Sequence, residues 1–438
     1  GKVIGIGATI QESKGKIKIG TLVVGAPAWK SKQISEGDEI LKVQSKKGEE
    51  PINVTGMLVD EAVRFIRGEK GTEVVLTLKK KDGTIKEVKM IREEVAIEDT
   101  FARSIIINGA NGKKYGFINL PSFNADFEDA KGRNASDDIK AELIKLKAQN
   151  VEGIILDLRN NGGGSLTEVV DIMGLFMNNG PVVQVKDGNG RVQVMRNKQN
   201  DPIWTGPLVI MQNELSASAS EILAGAMQDY GRAVIVGSPQ SFGKGTVQTF
   251  VELNRFLNTS DDFGALKLTI QKFYRVNGKS TQLKGVESDI PMKDVFSYEE
   301  IGERFDNYAL PWDQVNSSSF TVNNPINVAD LAKNSQSRMA QNKFYQLLLE
   351  SAQWREKLDK EEKISLNLKE FEAVMKTRKA QIDKFKPLIK YNNGLNFALH
   401  ADEVARGKTD EVFAKKSENW MKNLKRDIYL QETVNIIS

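Results

Sequence analysis

Between Asn213 and Thr249 the chain carries Asn213-Glu214-Leu215-Ser216-Ala217-Ser218-Ala219-Ser220-Glu221-Ile222, an apolar stretch of helical character, and then Ser241-Phe242-Gly243-Lys244-Gly245-Thr246-Val247-Gln248-Thr249. A serine in a small-residue turn that opens a helix lies where free amides and the helix dipole stabilise developing negative charge. It attacks a carbonyl only if a base takes its proton. The chain has no cysteine and a single histidine, His400, far along in the tail. A thiol nucleophile is therefore excluded, and imidazole is scarcely available as the base. A desolvated lysine can take that role. Lys244 is the candidate, because Gly243 and Gly245 allow close backbone approach and Phe242 and Val247 are apolar neighbours. To be neutral at working pH its pKa must fall by roughly 3 units from about 10.4, which costs ~4 kcal/mol. Only burial or a nearby cation supplies such a shift. Residue chemistry leaves Ser216, Ser218 and Ser220 all open as the attacking hydroxyl, since serine at a helix start also serves as an N-cap.

Other patterns exclude more than they propose. Leu158-Arg159-Asn160-Asn161-Gly162-Gly163-Gly164 follows a buried-looking strand and precedes a helix, so the triple glycine reads as a flexible turn or an anion cradle. A phosphate-binding P-loop fails on spacing, and Gly5-Ile6-Gly7 lacks the third glycine of a dinucleotide fingerprint. No His, Asp and Glu cluster has metal-ligand spacing, so neither metal nor cofactor is expected. The single His400 reads as structural. Asn53-Val54-Thr55 is a glycosylation sequon by pattern alone.

A length of 438 residues exceeds one hydrophobic core and implies two or three domains. Hydrophobic residues at 40% and charged residues at 27% are ordinary for a globular chain. A net charge of +4 gives no basic stripe for nucleic acid. The apolar runs are too short to span a bilayer. The start at Gly1-Lys2-Val3 lies inside a domain with no signal segment, as expected of a trimmed or mature fragment. The lack of cysteine is compatible with an oxidising compartment.

Residues 1–94 read as a β-rich domain. It has strands at 3–10 and 18–24, and a hairpin of 73–79 and 85–90 around Lys81-Asp82-Gly83. A helix over 57–67 is expected from the spacing of Val59, Ala62, Val63 and Ile66. Residues 95–305 alternate strands (115–120, 153–158, 208–212, 233–236) with helices (136–148, 167–177, 218–229), which predicts an α/β core with parallel pairing. A last β-rich run at 266–276 turns at Asn277-Gly278. Residues 306–438 are helix-dominated. The charged helical stretch 351–386 is interrupted before Pro387 and sustains no coiled-coil heptad.

Taken in order, these motifs resemble the carboxyl-terminal processing protease family in its tail-specific branch. The resemblance rests on Ile6-Gly7-Ala8-Thr9, Ala26-Pro27-Ala28 with Gly37-Asp38, the run from Leu156 to Gly164, Ser216 through Gly231, Phe242 through Gln248, and Thr269 through Gly278. It covers about the first three hundred residues; beyond Asn307 only the helix-rich, charged composition is similar. It implies a PDZ domain, a crotonase/ClpP-like α/β protease core and a helical C-terminal domain.

Carried over residue by residue, the resemblance makes Ser218 the nucleophile, Lys244 the base and Gln248 the group that orients the lysine. The amides of Gly162, Gly163 and Ala219 become the oxyanion hole, and Asp229 a supporting carboxylate. Gly5, Ile6, Gly7 and Ala8 become the nest that captures a peptide carboxylate at a sheet edge. Ser238-Pro239-Gln240-Ser241 is one residue longer than the family's usual turn. The implied function is a Ser–Lys serine endopeptidase of the periplasm or envelope, acting on proteins with free, apolar C-terminal tails and leaving room for an adaptor protein. Two rivals are a peptide-binding PDZ scaffold with a dead core, and a crotonase-like acyl-CoA enzyme. The presence of both Ser218 and Lys244 disfavours the first. The second explains neither the N-terminal signatures nor the Ser–Lys spacing.

Overall fold

Gly153–Asp157 and Leu208–Gln212 are buried along their whole length, the pattern of strands in a parallel sheet with helices on both faces. The computed structural model describes residues 2–13, 15–96, 101–109, 112–125, 133–255, 263–322, 326–361 and 363–438. It divides into two units, residues 1–99 with 404–420, and residues 100–403 with 421–438.

The first unit contains strands β1 (Lys2–Gly5), β2 (Ala8–Ser13), β3 (Lys16–Leu22), β4 (Glu39–Gln44), β5 (Ile52–Asn53), β6 (Glu73–Lys79), β7 (Ile85–Ile91) and β8 (Glu93–Ala96). Its helices are α1 (Pro27–Lys30) and α2 (Val59–Ile66). The main sheet runs β2-β3-β4-β6-β7, with β5 beside β4, while β1 pairs with β8. The expected hairpin and helix are both present, but the expected strand 3–10 is two strands. Gly7 breaks it with φ +70°, and a Cβ there would lie 2.1 Å from that of Ala26. The Ile6 carbonyl turns to the Ala28 amide at 2.8 Å instead of continuing a ladder.

The second unit begins with β9 (Arg103–Asn108), β10 (Lys114–Asn119), α3 (Ala135–Ala148), β11 (Gly153–Asp157), α4 (Leu166–Phe176), β12 (Gly180–Asp187) and β13 (Val192–Asn197). It continues with β14 (Leu208–Gln212), α5 (Ala219–Asp229), β15 (Val234–Gly237), β16 (Thr246–Glu252), β17 (Ala265–Tyr274), β18 (Ile290–Pro291) and β19 (Asn396–Ala398). The large sheet has the order β18-β15-β14-β11-β10-β9-β19; β10, β11, β14 and β15 are mutually parallel, as expected, and β18, which was not expected, continues the parallel run. A second sheet, β13-β12-β17-β16, was anticipated only at β17.

Helices α6 (Val328–Gln341), α7 (Lys343–Asp359), α8 (Leu368–Phe385), α9 (Ala401–Gly407), α10 (Glu411–Leu424) and α11 (Ile428–Ile437) follow. Residues 404–420 group with the first unit and the remaining helical residues with the second. His400 is buried, with Nε2 2.7 Å from Ser104 Oγ, which in turn donates to Glu142; it ties the C-terminal segment to β9 and α3. Among the described residues no helix is long and apolar enough to cross a membrane.

Arg92 knits the first unit together. It is 1% exposed, and its guanidinium donates to the carbonyls of Ile66 (2.8 Å), Glu73 (2.9 Å), Ser45 (3.0 Å) and Phe65 (3.2 Å). Two of these carbonyls close α2, where the dipole favours a cation. Arg92→Met would leave buried acceptors unpartnered, at about 3 kcal/mol or more. Hydrogen exchange should then accelerate on the order of 100-fold in β4 and β6 while β11 and β14 keep their protection.

Candidate active site

The parallel strands β11, β14 and β15 end on one edge of the sheet, where α/β folds place their ligands. The loop after each strand is bonded to the next. Asn160 N–H donates to Asn213 Oδ1 and Asn213 Nδ2 returns the bond to Asn160 Oδ1, both at 2.9 Å. Ala217 N–H and Ser220 Oγ both donate to the Asn161 carbonyl, at 3.0 and 2.8 Å. Ser216 Oγ donates to the Leu158 carbonyl at 2.8 Å, and Phe242 N–H to the Ser216 carbonyl at 3.0 Å.

These contacts separate the three serines. Ser216 and Ser220 are buried, with hydroxyls committed to carbonyls of the preceding loop, whereas Ser218 is half-buried. Ser218 is the N-cap of α5 and holds φ 57°, ψ −111°. That region is sparsely populated for a residue with a side chain and costs of order 1–3 kcal/mol. A sharp strand-to-helix turn of this kind lifts a hydroxyl clear of its neighbours.

Glu221 holds the turn. It is fully buried, and its two carboxylate oxygens accept four bonds. Oε2 accepts from Ser218 N–H at 2.7 Å and from Lys244 N–H at 3.0 Å. Oε1 accepts from Gly243 N–H and Ser241 Oγ, each at 2.6 Å. Burial pushes the Glu221 pKa up to about 7, with these four donors acting in the opposite direction. Sequence reasoning used Glu221 only as a register mark. The signal that reveals it is Ser-x-x-Glu at a helix start, in which the glutamate reaches back to the cap amide.

Lys244 is half-buried in the loop that leads into β16. The far side of that loop is pinned by Gly245 N–H donating to Gln282 Oε1 at 2.8 Å and Leu283 N–H donating to the Gly243 carbonyl at 2.8 Å. No hydrogen bond joins Lys244 Nζ to Ser218 Oγ among the described residues. Gln248 lies on β16 just past a bulge, exposed, and its side chain does not bond to Lys244.

Gly163, with φ +107°, packs directly under the Ser218 turn: a Cβ on it would lie 2.9 Å from Ser218 Cβ and 3.1 Å from Ala219 N. Its own N–H is turned to Asn161 Oδ1 at 2.9 Å. Asn161 was not singled out from sequence; it is fully buried and also donates to the Leu120 carbonyl at 2.8 Å.

Asp229 sits at the far end of α5, away from Ser218. It accepts from Arg275 Nε at 3.0 Å and Asn277 Nδ2 at 2.8 Å. Burial raises its pKa while Arg275 acts against that shift. In the first unit, Gly5, Ile6, Gly7 and Ala8 line a cavity of about 400 Å³ together with the apolar Val59 and Val63 of α2. The Ile6 and Gly7 amides donate to no group among the described residues.

Residues 114–292 match peptidase family S41, and residues 296–438 match the C-terminal domain of tail specific protease. The chain is 40% identical to the tail-specific protease of Haemophilus influenzae over 87% of its own length and 53% of the relative's. It is 32% identical to the carboxy-terminal processing protease CtpA of Bacillus subtilis, over 65% of this chain and 55% of that one. It thus spans about half the length of these curated relatives. Among solved structures, the photosystem II D1 C-terminal processing protease aligns at 26% identity over 66% of this chain and 72% of that chain, with a TM-score of 0.39. The peptide-bound PDZ domain of a carboxy-terminal protease from Vibrio cholerae aligns at 36% identity, over 22% of this chain and 98% of that one, with a TM-score of 0.21.

Glu221 makes stability depend on pH with a definite sign. Its folded pKa of about 7 lies above the ordinary 4.5, so ionisation is disfavoured in the fold. The stability it contributes is complete at low pH and declines by roughly 3 kcal/mol as pH rises through that window. Glu221→Gln cannot ionise and sets an amide donor against the loop amides, costing about 1–3 kcal/mol. Thermal unfolding followed from about pH 4.5 to about pH 7 should show the wild-type slope flattened in the variant.

Proposed function

The chain belongs to peptidase family S41, and from that premise we propose that it is a serine endopeptidase that processes or degrades proteins from their C-terminal tails. The observation that carries the reading is the sharing of Glu221 Oε2 between the Ser218 and Lys244 amides. It keeps the backbones of a candidate nucleophile and a candidate base together.

In the proposed mechanism Lys244 Nζ takes the Ser218 proton and Ser218 Oγ attacks the scissile carbonyl. The amides of Gly162, Gly163 and Ala219 hold the oxyanion. The tetrahedral intermediate collapses to an acyl-enzyme as the C–N bond breaks and the Lys244 ammonium returns the proton to the leaving amine. Lys244, neutral again, then deprotonates the water that deacylates Ser218, which regains its proton. This requires two local movements. The Lys244 side chain must swing onto Ser218, with Gln248 following to orient it. The Gly163 N–H must leave Asn161 Oδ1 for the oxyanion. Substrate entering the site supplies the desolvation that a neutral lysine needs.

The Gly5–Ala8 cavity is read as the carboxylate nest of a PDZ domain. The unpartnered Ile6 and Gly7 amides suit an anion, and Val59 and Val63 suit an apolar terminal side chain. A periplasmic or envelope location belongs to the same reading.

Ser218→Ala should abolish cleavage of an unstructured substrate. Ser216→Ala and Ser220→Ala should lose about 1 kcal/mol of stability each while cleaving normally per folded molecule. Lys244→Arg cannot supply a free base, because guanidinium stays protonated. Lys244→Arg should therefore be inactive from neutral to alkaline pH. Full turnover by Ser218→Ala or Lys244→Arg would overturn the dyad. A wild type that binds tails but never cuts them would favour the scaffold reading.

Recognition is tested separately with paired peptides that end in a free or an amidated apolar residue. The amide should bind about tenfold more weakly, equivalent to roughly 1.4 kcal/mol. Equal binding and equal cleavage of the two would place tail recognition outside the Gly5–Ala8 nest.

A further inference from the structure

Helix α11 starts at Asp427, whose two carboxylate oxygens have separate partners. Oδ1 caps the helix, accepting from Tyr429 N–H and Leu430 N–H, each at 3.0 Å. Oδ2 accepts from Arg159 Nη2 at 2.6 Å. Arg159 belongs to the turn that leads to Gly162 and Gly163. The same guanidinium grips Asp157, the last residue of β11, through Nε at 2.9 Å and Nη2 at 2.7 Å. Side-chain exposure is only 8% for Asp157, 17% for Arg159 and 14% for Asp427, so screening by water is weak. A rigid planar fork held by two carboxylates has little freedom to tilt.

The start of α11 also reaches the other two catalytic-edge loops. Tyr429 OH donates to the Lys293 carbonyl at 3.1 Å, and the next residue, Asp294, accepts from Ser238 Oγ at 3.2 Å in the loop after β15. Ser297 Oγ donates to Glu214 Oε1 at 2.7 Å in the loop after β14. A cavity of about 390 Å³, lined by Arg159, Asn213, Ser238, Asp294, Asp427 and Tyr429 among others, lies among these groups.

We propose that Asp427 is a positioning residue for peptide hydrolysis: through Arg159 it sets the tilt of the Asn160–Gly164 turn, and so the aim of the Gly162 and Gly163 amides. This rests on the reading of Ser218 as the nucleophile and of those amides as the oxyanion donors. It gives the C-terminal helical segment a task in the chemistry itself.

The division of labour between the two oxygens makes the inference testable. Asn caps helices as well as Asp does, so Asp427→Asn can keep the Oδ1 cap while its amide nitrogen cannot accept from Arg159. Steady-state cleavage of an unstructured peptide should show kcat lowered about tenfold or more with KM little changed, since small misplacements at a reacting centre are costly. The rate of Ser218 labelling by a fluorophosphonate should fall in parallel, with the thermal midpoint nearly unmoved. Arg338→Gln breaks the ion pair to Glu432 on the same helix, 3.0 Å in the structure, without touching the loops. It should lower stability and leave kcat per folded molecule unchanged. If Asp427→Asn does not fold, Arg159→Lys keeps the charge but reaches only one of the two carboxylates, and should show the same kcat loss.

Wild-type kcat in Asp427→Asn, or in Arg159→Lys where that variant replaces it, would overturn the inference. So would an equal kcat loss in Arg338→Gln, which would make the effect one of general helix stiffness. A wild type that neither cleaves nor labels would overturn the function reading together with this inference, an outcome distinct from an active wild type matched by its variant.

Discussion

One buried carboxylate organises the candidate active-site edge. Glu221 has no exposed surface, and its two oxygens receive every bond from two loops that are otherwise separate segments of chain. Because Ser218 N–H and Lys244 N–H share one oxygen, the two backbones lie within two hydrogen-bond lengths of each other. Neither loop can drift without leaving a buried amide or a buried oxygen unpaired, and such orphaned groups are expensive. The same carboxylate lies in the first turn of α5, where the dipole favours negative charge. The strained Ser218 backbone is thus over-determined by its surroundings, the condition under which such strain persists.

The arrangement fixes backbones more firmly than side chains. Ser216, Ser220, Asn161 and Asn213 spend their polar groups on loop-to-loop bonds, and the Ser218 turn is locked by them. Lys244 has a pinned main chain but a half-exposed side chain with no bond to Ser218. On the proposed reading, the scaffold is set at the level of the backbone, and the swing of the Lys244 side chain onto Ser218 completes the dyad. The Gly163 amide, parked on Asn161 Oδ1, fits the same logic.

Much of this was legible in sequence because it is local. The alternation of strands and helices predicted parallel pairing among β10, β11, β14 and β15. The small-residue run before Glu221 marked the helix start, and Asn277-Gly278 marked the end of β17. What escaped was non-local or depended on one dihedral angle. Arg159 meets Asp427 and Asn160 meets Asn213 across long stretches of chain, and no periodicity announces such pairs. Strands β12, β13 and β16 are partnered by one another and by β17 rather than by a buried parallel neighbour. The strand expected over residues 3–10 failed because Gly7 takes a positive φ, a freedom that β-propensity does not register.

Asp229 is a carboxylate remote from Ser218 that is nonetheless linked through the fold to the Lys244 loop. It closes α5 at the end opposite Ser218 and holds Arg275 and Asn277, just beyond β17. Strand β17 pairs antiparallel with β16, Thr246 lying opposite Lys272, and β16 begins two residues after Lys244. The lysine loop is therefore reached from both ends of one helix. Glu221 near its N-terminus bonds the loop directly, and Asp229 at its C-terminus anchors the hairpin that carries the loop onward. Helix, hairpin and loop close a circuit in which each polar joint is buried or nearly so, and a slip at Arg275 would be passed along β17 and β16 to Gly245 and Lys244. The supporting role proposed for Asp229 would need no contact with substrate, because Asp229 lies in that circuit.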